Sequence, residues 1–347
     1  MSIPLFLFTF NCAKLPQTDF SKLQDALPSD HIPELFVFGF QELVPILDST
    51  IPKEVNQRLF EINDSIHDVL SSKYPDSSSI HTINIHHLGA IGLIIMTPFQ
   101  SSIKKIDNTV ASCGLFYSSL KGAVATRLTL VKDSQETEFT FVVAHLSANE
   151  GYVERRNRDS WRLLRSLSFN DGWSVLKPKN HCFFMGDLNY RVALYGDELK
   201  RQIDESKVFI GFNEQDIHFD PTYKFNVGTS SYNSKRIASW CDRILYQKYN
   251  GNEKLIRYDK LPFLSSDHQP VFLSILVPFQ APPNAVNSLG YLIEGGEFMK
   301  STYASKFGNY ALIVSDSIIG LSLKSITTTS GRIVLIVMFL FILWLFK

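Results

Sequence analysis

Short apolar runs that stop at carboxylates, amides and imidazoles constrain this chain more than any other feature. Leu5–Phe10 ends at Asn11, Leu35–Gly39 leads to Gln41-Glu42, and Phe139–Ala144 ends at His145 with Asn149 close behind. His181–Met185 ends at Gly186-Asp187-Leu188-Asn189, and Ser266-Asp267-His268 comes just before Val271–Val277. Runs of this length read as strands, several apolar enough to be covered on both faces. Gly92–Met96 and Val124–Val131 join them, while Val55–Leu70 and Val153–Leu167 have helical spacing. Strands packed between helical layers predict an α/β sandwich. Strand ends then gather residues distant in sequence into one cleft.

The residue types gathered there point to metal-assisted phosphate chemistry. Asp242, inside Trp240-Cys241-Asp242-Arg243, and Asp267 beside His268 are poor core material, because buried charges are costly unless paired or metal-bound. Carboxylate and amide oxygens suit Mg²⁺ or Mn²⁺ better than zinc. Glu42 is the first choice as a direct ligand, with Asn11 and Asp267 beside it. Asp187 is placed to orient and deprotonate a water, and Asn189 to hold a phosphate oxygen. His268, kept protonated by Asp242, would donate to another oxygen. Lys121, Lys224 in Pro221-Thr222-Tyr223-Lys224-Phe225, and Lys235-Arg236 read as cations for further phosphates. Each piece has a plainer reading: a structural histidine for His145, a turn at 186–189, a wall residue for Trp240, and solvated cations elsewhere. Arg155, Arg156, Arg158 and Arg162 are expected on the solvated side of their helix.

Composition sets outer limits. The chain has 347 residues, 45% hydrophobic with 27 Phe, enough for a sizeable core. Its formal net charge is zero, which argues against a long nucleic acid as partner, since that partner selects for a basic stripe. Cys12, Cys113, Cys182 and Cys241 are widely spaced, as expected of reduced thiols in a cytosolic environment. The Leu5-Phe6-Leu7-Phe8 run lacks the cationic flank of a signal peptide and reads as a first strand.

The texture changes after Val277. Residues 1–280 are expected to form the catalytic domain, 281–325 a linker or membrane-proximal segment, and 326–347 a C-terminal transmembrane anchor. Ile333 to Phe346 is unbroken apolar sequence between Arg332 and Lys347. That run is short of the usual ~20 residues, but snorkelling cations and a thin bilayer accommodate it. The alternative is a buried terminal helix. A flexible 281–325 would reach roughly 35 Å, although Ala311–Ser322 is apolar enough to pack on the domain or lie at a membrane surface.

These islands, taken together, resemble the inositol polyphosphate 5-phosphatases of the DNase I-like endonuclease/exonuclease/phosphatase superfamily. The matching pieces run in family order from Phe10-Asn11 and Gly39-Phe40-Gln41-Glu42 through Lys121-Gly122, Ala144-His145-Leu146 and Gly186-Asp187-Leu188-Asn189-Tyr190-Arg191. Pro221-Thr222-Tyr223-Lys224, Trp240-Cys241-Asp242-Arg243-Ile244-Leu245 and Ser266-Asp267-His268-Gln269-Pro270-Val271 complete them. The small size and apolar tail are most similar to tail-anchored fungal members that act on phosphatidylinositol 4,5-bisphosphate.

The resemblance implies a four-layer α/β/β/α sandwich, Mg²⁺ dependence and removal of the inositol 5-phosphate. It implies Glu42 on the metal, Asp187 and Asn189 around water and phosphate, and His268 with Asp242 as a pair. Tyr223, Lys224 and Arg236 would hold the 4-phosphate, and Lys121, Asn149 and Arg191 complete the expected substrate contacts beside the catalytic His145. A monomer with a cytosolic catalytic domain at the endoplasmic reticulum membrane is expected. Ala123 and Ala238 depart from the family's usual Gly and Pro, which bears on loop geometry. A nuclease on the same scaffold and a non-catalytic phosphoinositide-binding tether are the competing functions.

Overall fold

The computed structural model describes residues 1–14, 18–75, 79–114, 117–191, 196–300, 302–329, 331–333 and 336–337. Among them the chain runs β1 (Ser2–Asn11), β2 (Leu35–Gln41), α1 (Pro52–Lys73), β3 (His81–Leu88), β4 (Ile91–Thr97), β5 (Ile103–Ser112), β6 (Gly122–Lys132) and β7 (Gln135–His145). It continues through α2 (Val153–Ser166), β8 (Asn180–Asp187), α3 (Glu198–Asp204), β9 (Phe212–Asn213), β10 (Asp242–Gln247), β11 (Lys254–Lys260), β12 (Val271–Pro278) and α4 (Tyr303–Thr327). One sheet has the order β11-β12-β1-β2-β4-β3 and the other β5-β6-β7-β8-β10-β9.

Strand alternation sorts the apolar residues into layers. Leu5, Leu7, Val37 and Ile95 of the first sheet meet Val124, Phe141, Val143 and Met185 of the second. Phe6, Phe8, Phe10, Phe36, Phe38 and Phe40 point the other way and pack with Leu59, Ile62, Ile66 and Leu70 of α1. Beyond the second sheet, Ala125, Val142, Ala144 and Phe184 pack with Leu163 and Leu164 of α2. The result is the four-layer α/β/β/α sandwich. The sheets approach closely at Gly39, where a Cβ would lie 2.7 Å from Val143 Cγ2 and 3.1 Å from Met185 Cε.

Two parallel pairs fix where the functional end lies. β1 and β2 run parallel with Asn11 opposite Gln41, and β7 and β8 run parallel with His145 opposite Asp187. β10 and β12 are antiparallel to β8 and β1, so their amino ends reach the same edge. β6 starts there too, with Gly122 opposite His145.

Several elements depart from the sequence expectation. The apolar-run criterion passes over β3, β5 and β11 because they are edge strands with half-exposed or exposed residues instead of a continuous apolar run. β10 is fully buried, but it begins at Asp242, inside a segment read as a charged island. The expected outer face of α2 is corrected at Arg156, which is 0% exposed. Its guanidinium donates to the Asn149 carbonyl at 2.8 Å and lies 5.4 Å from the Tyr190 ring centroid.

Beyond residue 280 the chain packs on the domain. Val286, Leu292 and Met299 are buried in the cluster under α2, and Leu312 of α4 is buried as well. No described helix is long and apolar enough to cross a membrane. Most of the 326–347 anchor expectation, including residues 338–347, falls outside the described residues.

Phe38 is fully buried between β2's neighbours and α1, with ring centroids of Phe6 and Phe8 at 6.2 and 5.9 Å. Truncation to Ala removes that packing and leaves a cavity, so Phe38→Ala is expected to cost ~3–5 kcal/mol. A lower urea midpoint with an unchanged m-value is the expected result; an unchanged midpoint would contradict the packing scheme.

Candidate active site

The polar residues at the shared sheet edge form one connected cluster around Asp187. Asp187 closes β8 and is 2% exposed. Its Oδ2 accepts the Asn11 side-chain amide at 2.9 Å and lies 3.2 Å from His145 Nε2. Its Oδ1 accepts the Asn189 backbone N–H at 3.1 Å, a contact made where Asn189 takes a left-handed φ of 56°. Burial alone would raise the Asp187 pKa, but the His145 contact and the charges of His268 and Lys121 outweigh it and hold the group ionised.

Asp242 sits directly opposite Asp187 on β10. It is 0% exposed, accepting from His268 Nδ1 at 2.9 Å and from the Thr222 hydroxyl at 2.7 Å, all at Oδ2. Burial pulls the His268 pKa down, yet the Asp242 charge and hydrogen bond, with Asp187 and Asp267 nearby, push it up to about 9. The ring is thus cationic at neutral pH, and its Nε2 faces Asp187 Oδ2 at 3.9 Å. Burial and the neighbouring Lys121 push the His145 pKa down against the pull of Asp187 and Glu42, and its Nε2 is in contact with the Lys121 ammonium.

Ser266 ties two strand ends together. Its hydroxyl donates to the Asn11 carbonyl at 2.7 Å and accepts the His268 N–H at 3.1 Å. Neither Ser266 nor Thr222 was assigned a role by sequence, although both lie within the recognised islands. Their signal was position alone: a hydroxyl one or two residues from an acidic or imidazole group.

The remaining expected residues divide into those the cluster engages and those set apart. Lys224 donates to Asp267 Oδ2 at 2.6 Å, and its ammonium lies 5.3 Å from the Tyr223 ring centroid. The Tyr223 ring in turn lies 4.5 Å from His268, and Arg191 stacks on it at 4.2 Å. Asn189 is committed at both ends of its amide: Oδ1 accepts Arg191 Nη2 at 2.6 Å and Nδ2 donates to the Leu146 carbonyl at 3.3 Å. Its observed contacts hold the Asp187 turn and Arg191 in place. Arg236 stands apart on the exposed rim, 3.7 Å from Glu150, and Asn149 is exposed with its carbonyl taken by Arg156.

Two groups of oxygens bear on a cation. Glu42 follows β2 with a left-handed φ of 49°, and its carboxylate is held by Lys14 at 3.0 Å. Burial opposes its ionisation, but His145, Lys14 and Lys121 outweigh that and lower its pKa. Asn11 adds an amide oxygen at the neighbouring strand end. Asp187 and Asp242 also bring carboxylate oxygens within 4.8 Å of each other, with the His268 ring in the same group. Asp242 Oδ1 is buried without a hydrogen-bond partner among the described residues, so the cluster has an acceptor to spare. Hard carboxylate and amide donors with a spare buried acceptor fit a divalent cation of the Mg²⁺ class. Asp267 is paired to Lys224 instead of joining the Glu42 group.

Comparison with known proteins agrees with this geometry. The family model described as Endonuclease/Exonuclease/phosphatase family 2 matches residues 8–274. The chain is 28% identical over 297 residues to inositol-1,4,5-trisphosphate 5-phosphatase 1 of Schizosaccharomyces pombe, covering 78% of this chain and 27% of that one. Caenorhabditis elegans synaptojanin is 28% identical over 274 residues, covering 71% and 24% respectively. The chain thus spans about a quarter of the length of these relatives. Type IV inositol polyphosphate 5-phosphatase 9 of Arabidopsis thaliana is 26% identical over 325 residues, with 78% and 76% covered.

Among solved structures, the inositol polyphosphate 5-phosphatase domain of SPsynaptojanin, crystallised with inositol (1,4)-bisphosphate and calcium ion, superposes with a TM-score of 0.70. It is 27% identical, covering 81% of this chain and 86% of that one. Cimex nitrophorin shares the fold alone, with a TM-score of 0.61 at 20% identity over 80% of this chain and 98% of that one. The chain belongs to endonuclease/exonuclease/phosphatase family 2, and within it is a relative of the inositol polyphosphate 5-phosphatases.

Proposed function

We propose that this protein is a phosphoinositide 5-phosphatase that hydrolyses the 5-phosphate of phosphatidylinositol 4,5-bisphosphate in a Mg²⁺-dependent reaction at a membrane. The observation that carries the reading is the Asp187–Asp242–His268 cluster. Two buried carboxylates and a cationic imidazole share one edge of the fold, in a chain whose relatives are inositol phosphate phosphatases. A non-catalytic tether has no use for so costly an arrangement.

The chain's own residues divide the work. Asp187, held ionised and fixed by Asn11 and Asn189, orients the attacking water. His268, held cationic by Asp242, donates from Nε2 to a phosphoryl oxygen. Lys121 at His145 and Arg191 over the Tyr223 ring beside His268 supply positive charge for the same phosphate. Lys224 and Tyr223 lie beside His268, where a neighbouring ring phosphate would bind. Mg²⁺ held by Glu42 and Asn11 would neutralise charge on the phosphoryl oxygens and leaving group. For the membrane, the support is the apolar run that follows Arg332; endoplasmic reticulum placement rests on the same run and on the resemblance.

Four outcomes are expected. Inorganic phosphate release from phosphatidylinositol 4,5-bisphosphate vesicles with Mg²⁺ should fall by on the order of 10²–10⁴-fold in Asp187→Ala. It should also vanish on chelation with EDTA; an unimpaired variant would sink the assignment. Deleting residues from Ile333 onward should move the protein from the membrane pellet to the soluble fraction, and continued pelleting would mean another attachment surface.

The fourth outcome concerns pH. The His268 value of about 9 in the folded protein lies above the ordinary 6.5. The stabilisation from its pairing with Asp242 is therefore complete below pH 6.5 and fades as pH rises through 9. The stability difference between wild type and His268→Gln should shrink over that window, and kcat should fall on its alkaline side. A difference that grew with pH would contradict a cationic His268.

A further inference from the structure

α4 lies outside the residues that match the family, 8–274, yet it touches the loop that carries Lys121. Asp316 Oδ1 accepts the backbone N–H of Ser119 at 2.8 Å, two residues before Lys121. Ser118 and Ser119 are 0% and 1% exposed, so this N–H is a buried donor and Asp316 is the acceptor the structure supplies for it. Leaving such a donor unpaired favours movement of the loop to find another partner.

The rest of the loop is clamped by the domain itself. The N–H groups of Cys113 and Gly114 both donate to the Lys121 carbonyl at 3.0 Å, and the Ser112 hydroxyl donates to the Ser118 carbonyl. The crest at Ser119 is held by α4. The helix is itself seated by Leu312 and Ser315, both buried, on the face that carries Asp316. One turn further, Gly320 lies against Thr50, where a Cβ would come within 2.9 Å of Oγ1. α4 therefore bridges two loops of the candidate site, the one that follows Glu42 and the one that precedes β6.

We propose that Asp316 is a positioning residue for Lys121, so that α4 sets the geometry of the phosphate-binding edge separately from any membrane attachment by the run after Arg332. The proposal rests on the phosphatase reading. Lys121 reaches the cluster through its contact with His145 Nε2, which stands 3.2 Å from Asp187. A shift in the loop crest moves the backbone from which Lys121 projects, and displacements of about an ångström at such groups cost large factors in rate.

The test uses the full chain and a water-soluble short-chain phosphatidylinositol 4,5-bisphosphate below its micellar concentration, so that access to a membrane does not enter. Asp316→Ala should lower kcat about tenfold with KM little changed, while Asp316→Asn, which keeps a carbonyl oxygen as acceptor, should restore most of the rate. Gly320→Leu, which pries the helix from Thr50, should reproduce the loss by an independent route. In a Lys121→Ala background Asp316→Ala should cause no further loss, because the two act through one group. Wild-type turnover with Asp316→Ala unchanged, or an equal fold-loss in both backgrounds, would overturn the inference alone. A wild-type chain that releases no phosphate overturns the phosphatase reading and the inference with it.

Discussion

Two carboxylates, Asp187 and Asp242, face each other across an antiparallel strand pair where water scarcely reaches. Burial and the Asp187 charge push the Asp242 carboxyl above its ordinary range while Asp187 is held below its own, so the surrounding residues decide how much charge the pair carries. Like charges in a low-dielectric setting drive one of the two to protonate unless positive or hydrogen-bonding groups intervene. Here His268 intervenes between them, bonded to Asp242 and facing Asp187, while Asn11, His145 and the Asn189 N–H take up the remaining acceptors. The same groups that make the cluster tolerable are those that would meet a phosphate and its cation.

The fold supplies the positions through strand direction and period. Parallel pairing of β1 with β2 and of β7 with β8 brings four carboxyl ends to one edge, and antiparallel β10 and β12 bring two amino ends to meet them. Period-two alternation then separates neighbouring charges. Asp242 faces the cluster, whereas Arg243, next in sequence, is buried elsewhere with Asp197 at 2.8 Å and with Glu214. That second ion cluster, capped by the Tyr258 hydroxyl donating to Glu214, holds α3's start and the segment before β10 together. One charged island thus serves a site with one residue and the scaffold with the next.

Much of this was legible in the sequence because burial on both faces leaves continuous apolar runs. All of the buried strands with such runs, and both amphipathic helices, lie where the runs place them. Edge strands such as β3 and β11 were not legible, since an edge needs no second apolar face. Arg156 shows a different limit. Periodicity puts an arginine outside, but here the backbone carbonyls of Ser147 and Asn149 and the Tyr190 ring give it an interior berth. At the site, residue type identified the titratable members. The hydroxyls of Thr222 and Ser266, the Lys14–Glu42 pair and the commitment of Asn189 depend on contacts that only the folded chain creates.

The central claim is that this edge of the fold removes one particular phosphate from a phosphoinositide. Incubating the full chain with phosphatidylinositol 4,5-bisphosphate vesicles and Mg²⁺, then separating the lipid products by the position of the phosphate they retain, tests it most directly. The account predicts phosphatidylinositol 4-phosphate in one-to-one proportion with inorganic phosphate. Phosphatidylinositol 5-phosphate, a cleaved phosphodiester or an unaltered lipid would contradict it.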